Sequence, residues 1–256
     1  MYKRQNYALA QRAPNPSELF SDGLHHSAAR IELGDLRISN ESSHKLSASF
    51  ENSSENWGYT INPYFNFISD FILLEPTDAE TTNRGPFPVW NYRQTDARFF
   101  GIDITGFTKF NSYWKTNHSF SFVKAKDITE NGAIINIPPA NFRNGVTYLR
   151  SKWNDFEIGL ESTYVFRQNE VPPNIMVFTP EQQQEVELEI NTAPAAYHLL
   201  ALNTKMKFSV FKNSTLTTTV IAENLLNTNY RDYLNRQRFF ADDLGRNITL
   251  QLKLNY

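Results

Sequence analysis

Cysteine is absent from this 256-residue sequence. Disulfide scaffolds, thiolate metal sites and cysteine nucleophiles are therefore excluded together, and the composition suits an oxidising compartment. Long hydrophobic runs are missing too. No uninterrupted apolar stretch exceeds four residues, whereas a membrane-spanning helix needs about 20. Nor is there an excess of either charge: 25 basic side chains stand against 27 acidic ones, a net charge of -2, which removes the electrostatic case for a nucleic-acid partner. With only ten glycines, close backbone approaches to a phosphate are scarce, and no GxSxG, HExxH or P-loop occurs. Neither an enzyme nor a bound cofactor is expected. The start, MYKRQN, holds no apolar core of a secretory signal.

What is present is aromatic. Phe, Tyr and Trp make up 14% of the chain, with 20 Phe and 12 Tyr, while total hydrophobic content is 40%, below the roughly 45–50% usual in globular domains. The hydrophobic period is two. Ile248, Leu250, Leu252, Leu254 and Tyr256 alternate with Asn247, Thr249, Gln251, Lys253 and Asn255, giving an extended strand one apolar and one polar face. The same alternation runs through Leu200, Leu202, Thr204, Met206 and Phe208, and through Ile158, Leu160, Ser162 and Tyr164.

This periodicity predicts ten strands, at residues 6–12, 44–52, 57–75, 90–110, 114–128, 143–153, 156–169, 198–211, 215–233 and 246–256. The connections between them alternate in length: long at 13–43, 76–89, 129–142, 170–197 and 234–245, short at 53–56, 111–113, 154–155 and 212–214. Antiparallel strands joined in this way place every short turn at one end of the sheet and every long loop at the other, as in outer-membrane barrels. Trp57, Trp114 and Trp153 flank the short turns, where an interfacial aromatic girdle would lie. The expected fold is all-β, an antiparallel up-and-down transmembrane β-barrel wall of about ten strands.

Three stretches carry a family resemblance: residues 12–26, RAPNPSELFSDGLHH, continued by IELGD at 31–35; residues 222–233, AENLLNTNYRDY; and residues 245–256, GRNITLQLKLNY. They resemble the C-terminal part of the barrel of TonB-dependent outer-membrane receptors, with one departure, Leu244 where many members have Pro before the Gly-Arg. The resemblance implies a 22-stranded parent barrel with a plug in its lumen, of which this chain is the C-terminal portion without the plug. It implies residence in the bacterial outer membrane, contact with lipid, energy from the TonB complex through the plug, and recognition by the barrel assembly machinery through the strand ending at Tyr256. Residues 1–5 read as a foreign flank and 6–256 as the barrel fragment.

By the same resemblance the parent imports a scarce nutrient, with a ferric siderophore as the foremost expectation. Cargo contacts are expected from the long loops. Arg236 and Arg238 beside Phe239 could clamp carboxylate or catecholate groups, while the glutamates of residues 181–189 (EQQQEVELE) would repel an anionic chelate. His25 and His26 near Asp22 could ligate zinc or a haem iron, although adjacent histidines point apart on a regular backbone. Zinc or haem uptake is thus one alternative, a passive pore or adhesin barrel another, and a soluble all-β binding module a third.

Overall fold

The computed structural model describes residues 1–83, 85–179, 183–211 and 213–256. Strand β1 (Tyr2–Arg12) leads through a short helix α1 (Pro16–Phe20), β2 (Asp22–His25), a single 3-10 turn (His26–Ala28) and β3 (Arg30–Leu33) into β4 (Glu41–Ser53). The wall continues with β5 (Trp57–Thr82), β6 (Gly85–Lys109), β7 (Trp114–Asp127), β8 (Asn141–Arg150) and β9 (Phe156–Val165). A small hairpin, β10 (Ile175–Thr179) and β11 (Gln184–Leu188), precedes β12 (Tyr197–Phe211), β13 (Ser214–Glu223) and β14 (Asn247–Asn255). The main sheet is an antiparallel meander in the order β1-β4-β5-β6-β7-β8-β9-β12-β13-β14. Among the described residues β1 and β14 each pair on one side only, so the sheet stays open.

Directly paired residues share a face, so the register sorts the wall into two surfaces. One row reads Leu250, Val220, Thr204, Ile158, Tyr148 and Trp114 across six strands; the adjacent row reads Gln251, Thr219, Lys205, Glu157 and Leu149. The first face is apolar and uncovered, with Leu250 at 62% and Leu252 at 64% exposure. Such side chains each gain roughly 1.5–3 kcal/mol by leaving water, which lipid supplies at a barrel's outer surface. The second face is polar and carries cross-strand ion pairs, Lys115 to Glu157 at 3.8 Å and Arg143 to Glu161 at 3.4 Å.

The short turns lie side by side at one end. The Lys109 N–H donates to Asn56 (2.6 Å), that of Leu149 to Tyr113 (2.7 Å) and that of Lys207 to Asn154 (2.8 Å), each bond linking one turn to the next strand pair. Trp57 stacks on Tyr59 and Trp114 packs against Tyr148, while Trp153 meets Phe156; the three indoles remain about half exposed, as an interfacial girdle requires. On the polar face two glycines make room for rings: Tyr64 lies across Gly101 and Phe107 across Gly58, where an added Cβ would collide with ring atoms.

Several boundaries differ from the periodicity. β1 starts at Tyr2, four residues early, with its first residues paired to β4. The connection expected at 76–89 is mostly strand: β5 and β6 run for 26 and 25 residues, more than twice the roughly 9–11 needed to cross a bilayer. Its polar, Pro-rich sequence reads as loop, yet a bulge between Pro76 and Asp78 absorbs the irregularity and pairing continues. The strand expected to reach 233 stops at Glu223, because Asn224 turns left-handed (φ 47°) and clamps the turn from its side chain, bonding Thr228 N–H and O as well as Leu244 O. Strands expected to reach 153 and 169 end at Arg150 and Val165, the first at a turn in which Asn154 and Asp155 have positive φ. Arg84, Pro180, Glu181, Gln182 and Lys212, parts of the expected connections, lie outside the described residues.

Candidate functional site

The long connections form a packed canopy over one end of the wall. The β1–β4 connection crosses β5 to place β3 parallel to β6 at Val89, Trp90 and Asn91, in the position that β7 occupies lower down. Two small cores hold the canopy: Ala97, Ala125, Ile134 and Ile137 in one, Trp90, Ile135 and Ile190 in the other. Charged side chains lock it to the strand ends. Arg12 binds Glu18 (2.9 Å) and Glu41 (2.7 Å). Arg93 contacts Glu75, Asp127 (2.8 Å) and Glu130 (3.2 Å), and Asp127, 2% exposed, also accepts from the Thr95 hydroxyl. Removing a partner from such a pair leaves a buried charge uncompensated.

Within the canopy a cavity of about 510 Å³ is walled by Arg30, Trp90, Ile190, Arg236, Arg238 and Phe239, contributed by distant segments of chain. Arg30 is neutralised by Glu32 at 2.7 Å and lies 4.4 Å over the Trp90 ring. Arg238 is different. It is 4% exposed, donates to the carbonyls of Tyr233 (2.7 Å) and Ile190 (3.2 Å), and is sandwiched between the Tyr233 and Phe239 rings at 4.8 and 4.4 Å. Among the described residues it has no carboxylate partner, and its Nε and the Trp90 indole N–H are both buried without an acceptor. Burial draws the Arg238 guanidinium below its ordinary pKa, against the opposing attraction of Tyr233 and Asp232, with a smaller contribution from the Arg30 charge in the same direction as burial. A buried cation with no carboxylate in direct contact, attracted only at longer range by Asp232 and rimmed by rings and unused donors, is suited to an anionic planar group.

The loop bearing Arg238 is itself braced. Asp232 accepts from the Tyr197 hydroxyl (2.8 Å), Asp243 receives the Asp232 N–H and the Asn235 amide, and Arg231 holds both Asp242 and the Arg238 carbonyl.

Of the residues singled out from sequence, Arg236, Arg238 and Phe239 are brought together at this cavity, Arg238 inside and Arg236 exposed on the rim. Asp22, His25 and His26 are exposed and are not gathered into one site. Asp22 and His25 occupy opposite ends of β2, an odd number of residues apart and so on opposite faces, and the His25 ring contacts Ser27 at 3.4 Å. Among the described residues no three His, Asp or Glu side chains converge as a metal set. Arg30 and Trp90 escape a reading of the sequence: they are 60 positions apart, and no local pattern announces their contact. Glu189 borders the cavity, whereas Glu185 and Glu187 are exposed on β11.

Residues 4–225 match the family model described as TonB dependent receptor-like, beta-barrel. The chain belongs to the TonB-dependent receptor barrels. No curated protein matches it by sequence. Among solved structures, the copper transporter OprC superimposes with a TM-score of 0.73 at 21% identity, over 98% of this chain and 36% of that one. The siderophore receptor PirA from Acinetobacter baumannii gives 0.65 at 15%, over 98% and 38%. The FrpB iron transporter from Neisseria meningitidis gives 0.62 at 12%, over 98% and 36%. At these identities the likeness is one of fold, and the chain spans a little over a third of the length of each. The open sheet is accordingly a part of a TonB-dependent receptor barrel.

Proposed function

We propose that this chain forms wall and outer vestibule of an outer-membrane importer whose cargo is an anionic ferric chelate of the siderophore kind. The observation that carries the reading is Arg238, buried without a carboxylate in a cavity that also offers the indole N–H of Trp90 and the Phe239 ring. A catecholate or carboxylate would supply the missing charge and accept the unused donors. A siderophore receptor and an iron transporter among the similar structures support this choice of cargo; the copper transporter marks the competing metal. In this reading the apolar face meets lipid, TonB energises import through the family's plug, the β14 end at Tyr256 engages the barrel assembly machinery, and the protein works as a receptor with no catalytic step.

The test is equilibrium binding of a ferric tris-catecholate to the intact receptor, followed by tryptophan fluorescence. Arg238→Met is expected to weaken binding tenfold or more, as loss of one partner of a desolvated charged contact does. Arg236→Gln, on the exposed rim, should reduce mainly the association rate and its salt dependence. Unchanged affinity in both variants would contradict the reading. Binding of Zn²⁺ or haem in place of the chelate, abolished by His25→Ala with His26→Ala, would replace it with the metal-ligand alternative.

A further inference from the structure

The apolar face of the wall is free of Asp, Glu, Lys and Arg along its strands except near its two ends, and at the end nearest the canopy four cations outnumber the carboxylates Asp96 and Glu170. By register Arg98, Lys124 and Lys126 stand on the same face as Phe100 and Phe122, with Arg98 directly opposite Lys126 and Phe100 opposite Lys124. Like charges at directly paired positions, with Cβ atoms about 5 Å apart, repel and destabilise a sheet unless an anion lies between them. Among the described residues neither Arg98 nor Lys126 has a carboxylate partner. Asp96, on the same strand row, is engaged by the Asp70 N–H, and Glu170 is taken by Lys124 at 2.6 Å. Arg167 adds a fourth cation, lining with Phe122 and Lys124 a groove of about 320 Å³ at the same edge. Phe100 and Phe122 pack edge to face just below, so cations sit immediately above a band of rings.

We infer that Arg98, Lys126 and Arg167, with Lys124 held by Glu170 beside them, form a docking site for the phosphate groups of anionic lipid in the leaflet on the long-loop side. The inference rests on the lipid-facing reading of this wall. Rings mark the depth at which hydrocarbon gives way to headgroups, and the cations follow at the depth where phosphates lie. A phosphate bridging Arg98 and Lys126 relieves their mutual repulsion and fixes the top of β7 against the middle of β6, below the part of β6 that carries the canopy.

The experiment reconstitutes the intact receptor in phosphatidylcholine vesicles doped with a diphosphorylated glycolipid. It measures, by energy transfer from the tryptophans, the relative association of headgroup-labelled diphosphorylated lipid and labelled phosphatidylcholine. Wild type is expected to prefer the phosphorylated lipid. Arg98→Gln with Lys126→Gln should reduce that preference about twenty-five-fold, at about fivefold per neutralised charge. Lys205→Gln with Lys253→Gln, an equal change in net charge on the polar face, should leave it unchanged. Equal losses in both pairs, no preference in wild type, or full competition by inorganic phosphate would overturn the docking site. Failure of energy transfer to either lipid would instead overturn the lipid-facing wall on which it rests.

Discussion

The wall and the canopy are made from one chain by different physics. In the wall, register and period do the work: apolar residues are uncovered, with Leu252 at 64% exposure, and cohesion comes from strand pairing. In the canopy, ordinary burial returns. Ile134 is 2% exposed, Trp90 4% and Asp127 2%, and ion pairs join residues far apart in sequence. Even the tryptophans divide this way, three half-exposed at the short turns and Trp90 interred near Arg30. A wall defined by its solvent tolerates change on its polar face, whereas a canopy defined by its contacts tolerates little at its charged anchors.

That contrast breaks most severely at Arg93. Arg93→Ala leaves Asp127 buried beside Glu75 and Glu130 without a cation, at an expected cost of about 3–5 kcal/mol. Hydrogen exchange should show the long connections losing protection while β12, β13 and β14 keep theirs. A uniform loss would mean that wall and canopy are a single cooperative unit.

Within the wall, Leu252→Arg places a charge on the apolar face and should cost about 2–4 kcal/mol in lipid vesicles, whereas Gln251→Arg next to it should cost close to nothing. Urea titration of the two variants in bilayers measures the difference. Equal costs would remove the distinction between faces.

At the boundary of the two regions, Asn224→Ala removes the side chain that ties the Thr228 backbone and Leu244 O to the end of β13. A loss of about 1 kcal/mol is expected, together with faster exchange in residues 224–246 only.

The smallest effect concerns an exposed canopy pair. The Arg37 guanidinium and backbone N–H bond the Asp35 carboxylate and hold its pKa at about 2, below the ordinary 3.8. The folded value is depressed, so the pair's contribution is complete above about pH 4 and is lost as pH falls through about 2. Carboxyl NMR should show Arg37→Gln returning Asp35 toward 3.8.

How much of the molecule is legible in its sequence follows from the same contrast. Alternation such as that of residues 247–256 is written locally, so most of the strands, the segregation of short turns and the rings beside those turns can be read from residue order alone. The family resemblance lies in such local stretches as well, with AENLLNTNYRDY its middle one. Yet that stretch reads as strand throughout, because the left-handed turn at Asn224 depends on one side chain capping its own loop. The canopy is illegible for a deeper reason: Arg93 with Asp127, Arg30 with Trp90 and Arg238 with Ile190 are contacts between residues 34 to 60 positions apart. Arg238 can be singled out as a cation beside rings, but its burial cannot.

One face of the strands is expected to meet lipid and the other an aqueous lumen. These 256 residues contain no cysteine, so Leu252→Cys and Gln251→Cys each add a single nitroxide attachment point to them. In vesicles holding the receptor, accessibility of each label to dissolved oxygen and to a water-soluble nickel chelate is the most direct test. The label at 252 is expected to be relaxed by oxygen and the label at 251 by nickel. Equal or reversed accessibilities would contradict it.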